Sequence, residues 1–260
     1  MTFQKLLGEI GKLSTLEGVD TFIIGHSVCG CEICAYHVGQ YNDNQIIVTG
    51  AIHAREWITA LLVCELVKMC QGDVLNDTLC HLIRPLDTSG IWFVPLCNPD
   101  GVKIALECQP LWKANARGVD LNVNFDADWG GGAQNIRNPG AENFIGPYPN
   151  SEPEVQALID FTLRVKPKAT VAYHSKGELV YFVNSRDACL AQKVADITGY
   201  IPEKTENSTG GYSDWVSMHL GIPALTIEVG NDDYSHPITE DKLREILEQN
   251  KDVPGIVLTT

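Results

Sequence analysis

Two histidines and two glutamates stand where packing would not put them. His53 and Glu56 follow the apolar run Ile46-Ile47-Val48-Thr49, His174 closes Val171-Ala172-Tyr173, and Glu228 closes Ala224-Leu225-Thr226-Ile227. Burying an unpaired charge behind a hydrophobic strand is costly. Two imidazoles and a carboxylate aimed at one point can instead hold a divalent cation. Zinc in a hydrolase takes three protein ligands and keeps a fourth position open, so His53, Glu56 and His174 suffice. Glu228 is then the spare carboxylate, placed to move protons at a water molecule. On its own the His-x-x-Glu spacing is weak, and a core histidine beside a salt-bridged glutamate is the plainer reading. The other two strand ends change the balance, because α/β proteins place their sites at such ends.

These residues need strands to aim them. Apolar and alternating runs predict strands at 21–27, 33–38, 45–50, 91–96, 169–174, 179–183 and 224–229. The first two flank Cys29-Gly30-Cys31 and read as a hairpin. Helical periodicity appears at 2–13, 57–70, 152–165, 187–198, 213–220 and 239–249. Ser151-Glu152-Pro153-Glu154 is a good helix start, with proline and acids in the first turn. Between about 98 and 150 the chain reads as a long loop, including Gly130-Gly131-Gly132; loops of that length in a compact domain usually carry function. With no repeat or linker, the 260 residues read as one α/β domain, 1–260, a mixed sheet sandwiched by helices.

A formal charge of −14 argues against a nucleic-acid partner and against an anionic membrane surface. No apolar run approaches the ~18 residues of a membrane span, and Met1–Asp20 lacks the apolar core of a signal peptide. Nine cysteines, an odd number with Cys64, Cys70, Cys97 and Cys189 in apolar surroundings, favour reduced thiols in a cytoplasmic protein. If a leader was removed before Met1, the protein is secreted instead. Cys29, Cys31 and Cys34 read as strand and turn residues rather than a second metal cluster, since alternation sends them to different faces. His26, His37, His81, His219 and His236 read as core or surface histidines.

The motifs taken together resemble the zinc carboxypeptidase family of the carboxypeptidase A type. They are Gly50-Ala51-Ile52-His53-Ala54-Arg55-Glu56-Trp57, Asn98-Pro99-Asp100-Gly101, Gly118-Val119-Asp120-Leu121-Asn122, Tyr173-His174-Ser175, Gly210-Gly211-Tyr212-Ser213-Asp214-Trp215 and Ile227-Glu228, in family order over most of the chain. The resemblance implies an eight-stranded mixed sheet and one Zn2+ held by His53, Glu56 and His174. It implies Glu228 as general base, taking a proton from the attacking water and returning it to the leaving amine. Arg55 matches an arginine on the substrate side; an ion pair that orients Glu228 or another acid is its second reading. For the arginine that stabilises the oxyanion two candidates stand open, Lys113 in Trp112-Lys113 and Arg117 beside Gly118. Asp120 and Asp214 either orient a metal ligand or cap loops.

The chain departs from the pattern at two places. The arginine that clamps a substrate's terminal carboxylate should follow Asn122, and Val123 stands there. The mobile tyrosine before the paired glycines is replaced by Glu206-Asn207-Ser208-Thr209. Tyr212 either substitutes for it or packs, and Ser213 falls near the base of the specificity pocket. Ala114–Asn122, Asn124-Phe125, Gly146-Pro147 and Tyr173–Phe182 are similar to the bacterial γ-D-glutamyl-diaminopimelate peptidases, several of which lack the clamp. That likeness implies cleavage of cell-wall stem peptides, on soluble muropeptides since no wall-binding module is present. The alternatives are a metallocarboxypeptidase acting on ordinary peptides, with Arg137 as substitute clamp, and a catalytically silent peptide-binding relative.

Overall fold

Residues 1–70, 86–206 and 208–260 are described by a computed structural model; His81 and Asn207 lie outside the described residues. Eight strands form one sheet: β1 (Val19–His26), β2 (Glu32–Gly39), β3 (Gln45–Thr49), β4 (Gly90–Val94), β5 (Ala169–His174), β6 (Leu179–Phe182), β7 (Ile201–Lys204) and β8 (Ala224–Glu228), in the order β1-β2-β4-β3-β5-β8-β6-β7. The centre, β4-β3-β5-β8, is parallel throughout, while β1-β2, β2-β4 and β6-β8 run antiparallel. Both faces of the central strands are covered, which is why they read as continuous apolar runs. The pleat sends Ile46, Val48, Val171, Tyr173, Leu225 and Ile227 into one buried cluster and Ile47, Ala172 and Ala224 into the other.

On the first face lie α1 (Phe3–Lys12), α2 (Ile58–Cys70), α3 (Pro99–Glu107), α5 (Ala188–Thr198), α7 (Leu243–Asn250) and α8 (Val253–Thr259); α4 (Pro153–Val165) and α6 (Tyr212–Trp215) cover the second. The helix expected at 2–13 forms, with Phe3, Leu6 and Ile10 buried and Thr2 capping it. The loop expected from residue 98 begins instead with α3, whose N-cap Asn98 accepts from Gly101 N–H and whose first position is Pro99. Strand β7 escaped the sequence because it is short, contains Pro202 and is mostly exposed. Cys189 is exposed rather than apolar in its surroundings, since it faces outward on α5.

From β3 the chain moves to β4 on one side and later to β5 on the other. Strand order therefore reverses between β3 and β5, and a crevice opens at their carboxyl ends. His53, His174 and Glu228 all sit at that edge, with His174 and Glu228 facing each other as register partners.

Candidate metal centre and cleft

After β3 the backbone turns through Ala51, a non-glycine residue at φ 49°, whose N–H donates to Thr59 Oγ1 at 2.8 Å. Left-handed backbone of this kind persists only where its surroundings impose it. His53 then leads into the short 3-10 turn Ala54–Glu56, and Ala54 N–H donates to the Lys113 carbonyl at 3.0 Å. Asn98 completes the brace, its Nδ2 donating to the carbonyls of Ile52 and Ala114, both at 3.1 Å. The Asn-Pro-Asp-Gly motif thus fastens the loop carrying His53 to the loop carrying Lys113.

His53 Nδ1 lies 3.0 Å from Glu56 Oε1 and 3.0 Å from His174 Nδ1, and His174 Nδ1 lies 3.2 Å from Glu56 Oε2. All three residues are buried. His53 Nε2 faces Asp120 Oδ1 at 3.3 Å, which assigns that nitrogen the proton and leaves Nδ1 a lone pair. Two imidazole nitrogens and a carboxylate thus converge on one point, an arrangement that a divalent cation would satisfy. Their separations match the roughly 3.3 Å edge of a tetrahedron with zinc–ligand bonds of ~2.0–2.1 Å. Among the described residues this is the one group of His, Cys, Asp or Glu side chains able to hold a metal ion; Cys29, Cys31 and Cys34 form none.

Glu228 borders the same cleft, with Oε2 buried and without a hydrogen-bond partner among the described residues. Burial, and after it the Glu56 charge, pushes its carboxyl up to about 7, the range suited to exchanging protons at neutral pH. Lys113 is half-buried and borders the cleft, with Nζ 2.8 Å from Asp120 Oδ2. Burial disfavours its charge, but Asp120 reverses the balance and keeps the ammonium protonated. Asp120 therefore has two neighbours, His53 and Lys113, which hold its carboxyl far below the usual range against the effect of burial.

The remaining candidates divide. Arg117 is 54% exposed and turns to Glu152 at 3.6 Å, away from the cleft; of the two oxyanion candidates only Lys113 is in place. Arg55 pairs with Glu142 at 3.0 Å, so the other acid of its second reading is Glu142. Tyr212 is fully buried, with its hydroxyl 2.7 Å from Thr162 Oγ1, and packs against Phe125 rather than facing substrate. Ser213 and Asn122 do line the cleft, Ser213 bonded to Thr226 and Asn122 accepting from Tyr212 N–H. Gly210, at φ +83°, is pressed so closely on Val123 that a Cβ would stand 2.9 Å from its carbonyl oxygen, which locks Val123 into the wall. Asp214 accepts from Gly211 N–H at 2.9 Å, the capping role. Arg137 lies over the Trp129 ring, 5.6 Å from its centroid, and is absent from the cleft wall. Sequence reasoning missed Tyr181 and Glu203 as wall residues, because no local pattern marks the side of a strand pair that faces a cleft.

The sequence model of the zinc carboxypeptidases matches residues 17–200, and the chain belongs to that family. It is 28% identical to the γ-D-glutamyl-L-diamino acid endopeptidase 1 of Lysinibacillus sphaericus, over 92% of this chain and 67% of that protein. Among solved structures, bovine thrombin-activatable fibrinolysis inhibitor in complex with tick carboxypeptidase inhibitor superposes with a TM-score of 0.84 at 19% identity, covering 100% of this chain and 96% of that one. The murein-tripeptide amidase MpaA from Escherichia coli O157 gives 0.66 at 22% identity, with 92% of each chain covered. These superpositions establish the fold, and the family establishes a zinc metallopeptidase. No helix among the described residues is long and apolar enough to cross a membrane.

Proposed function

We propose that this zinc peptidase hydrolyses the γ-D-glutamyl–diamino acid bond of bacterial cell-wall stem peptides such as soluble muropeptides. The observation that carries the reading is the cleft wall at Val123. Lys113 is the one lysine or arginine among the described residues lining the cleft, and it is paired with Asp120. A free terminal α-carboxylate therefore meets no uncommitted cation, although charge-assisted pairing is what usually anchors one. The L. sphaericus relative, whose name states this bond, supports the same direction. Arg137, the substitute clamp of the alternative reading, is engaged on Trp129 instead.

In this reading His53, Glu56 and His174 hold the zinc, which when bound supplies positive charge that acidifies water and polarises a carbonyl. Asp120 fixes the His53 ring so that Nδ1 presents its lone pair. Glu228, its Oε2 unpartnered, accepts the proton of the attacking water and passes it to the leaving nitrogen. Lys113 Nζ offers a hydrogen bond to the oxyanion, and its link to Asp120 sets its position beforehand.

The test is kcat/KM on purified muropeptides against ordinary peptides with free and amidated C-termini, with products identified by mass spectrometry. Faster cleavage of the γ-D-glutamyl bond is expected. A strong preference for ordinary peptides with a free carboxylate, abolished by Arg137→Ala, would replace this reading with carboxypeptidase action.

A further inference from the structure

The two edges of the described sheet are built differently. β7 is four residues long and carries Pro202, Glu203 and Lys204, features that discourage a further strand. β1 is eight residues long and holds no lysine, arginine or proline. Its Asp20 and Thr21 are exposed, as are Phe22 at 43% and Ile23 at 52%. A bulge between Ile23 and Gly25 bends only the far end, which leaves residues 19–23 regular. Alternate backbone N–H and C=O groups along that stretch point away from β2, and no strand among the described residues takes them.

Helix α4 lies over this edge and presses closest at Gly25, where the missing side chain makes room for Ala157. Further along, Phe161 meets Trp92 with ring centroids 5.3 Å apart. Trp92 is in register with His37, and His37 with Asp20, so this part of α4 is level with residues 20–22. Thr162 bonds Tyr212 of α6, and α6 packs over β5 and β8; Thr162 therefore faces the middle of the sheet. Asp160 and Arg164 stand two residues to either side of it, which turns both to the opposite flank, toward the edge. Both are exposed, and neither has a partner among the described residues. On the sheet below, the rings of Phe22 and Tyr41 both abut Trp92, at 5.2 and 6.0 Å. Tyr41 is 58% exposed and donates its hydroxyl to Asp20.

We infer that a second copy of this chain pairs along β1, antiparallel about a two-fold axis at Thr21. A two-fold contact uses the same surface on both copies, and the groups flanking β1 are complementary under that operation. The axis sets Phe22 of one copy opposite Asp20 of the other, and so beside the exposed Tyr41 ring. It also runs the two α4 helices antiparallel, which brings Asp160 of each copy to Arg164 of the other. A lone peptide strand would satisfy the edge backbone but leave both charges unmatched. A contact of this kind belongs with the smaller interfaces, and a Kd of roughly 1–100 µM is expected. Strands β2 and β4 stand between β1 and β3, so pairing leaves the metal centre and cleft untouched.

Sedimentation equilibrium of the intact protein over about 1–200 µM tests this, with zinc content and melting temperature as checks on folding. The unaltered protein should pass reversibly from monomer to dimer across that range. Thr21→Lys places two like charges against each other at the axis and should weaken the dimer by about tenfold or more. Arg164→Asp turns two attractions into two repulsions and should weaken it by roughly tenfold. Adding Asp160→Arg to that variant exchanges the charges of both pairs and should restore the dimer. None of the three residues has a part in the chemistry, so kcat/KM per chain should hold in every variant. A protein that stays monomeric throughout overturns the inference. A dimer that tolerates Thr21→Lys in a folded variant overturns it as well, because it uses another surface. A double reversal that fails to recover does the same, because the two helices then do not meet.

Discussion

Lys113 Nζ lies 2.8 Å from Asp120 Oδ2, and the other oxygen of that carboxylate faces His53 Nε2 at 3.3 Å. One buried acid therefore joins a candidate metal ligand to the cation best placed for the oxyanion. Lys113→Met should keep zinc and lower kcat by roughly 10²–10³-fold, the cost of losing one oxyanion donor. Asp120→Asn should weaken zinc binding by roughly 10–100-fold, as for other residues that orient a metal-bound histidine. Chelator competition and steady-state kinetics read both; an unaltered kcat in Lys113→Met removes that lysine from the chemistry.

His174→Ala should abolish stoichiometric zinc, because it takes away one of three ligand atoms lying within 4.8 Å of one another. Elemental analysis of the purified variant decides the matter. One zinc per chain in a folded His174→Ala protein would disprove the ligand set.

Glu228→Gln should retain zinc and lose turnover by roughly 10²–10⁴-fold, the range that general acid–base catalysis supplies. The amide keeps the shape but cannot accept the proton. Near-wild-type turnover with metal in place would take Glu228 out of the mechanism.

Val123→Arg introduces a cation into a wall where Val123 is buried and held against Gly210. Cleavage of γ-D-glutamyl substrates should fall through lost space and misplaced charge, while ordinary peptides with a free α-carboxylate should gain relative to amidated ones. The ratio of the two kcat/KM values is the readout. No change in that ratio means that residue 123 does not face the terminal carboxylate.

Burial, followed by the nearby Asp128 charge, raises the Asp214 carboxyl to about 6, against 3.8 for a free side chain. Below 3.8 both folded and unfolded chains carry the proton, and stability is not reduced. As pH climbs from 3.8 to about 6 the unfolded chain releases it first, so stability is lost across that window. Asp214→Asn can still accept from Gly211 N–H but never ionises. It should flatten that part of the stability–pH curve and add at most about 3 kcal/mol at neutral pH, using ~1.4 kcal/mol per pKa unit. Urea denaturation from pH 4 to 7 measures this, and an unchanged slope would show that Asp214 titrates normally.

The sequence by itself determined the strands of the sheet centre and the residues at their ends. Buried parallel strands have to be apolar on both faces, so an imidazole or carboxylate closing such a run is conspicuous in one dimension; His53, His174 and Glu228 were legible for that reason. Short or exposed elements were not: β7 carries Pro202 and little burial, and α3 starts on a motif that looks like a turn.

Tertiary structure decided which polar residues meet. Lys113 and Arg117 stand four positions apart in the chain, and only the folded loops send one to Asp120 and the other toward solvent. Tyr212 and Ser213 are neighbours in sequence, yet one is packed against Phe125 and the other lines the cleft. The cleft wall draws Val123, Glu203 and Ser213 from separate parts of the chain, and their proximity comes from the order in which the strands are laid side by side. Local patterning records which face of an element is apolar; it holds no record of what a polar face will find opposite it.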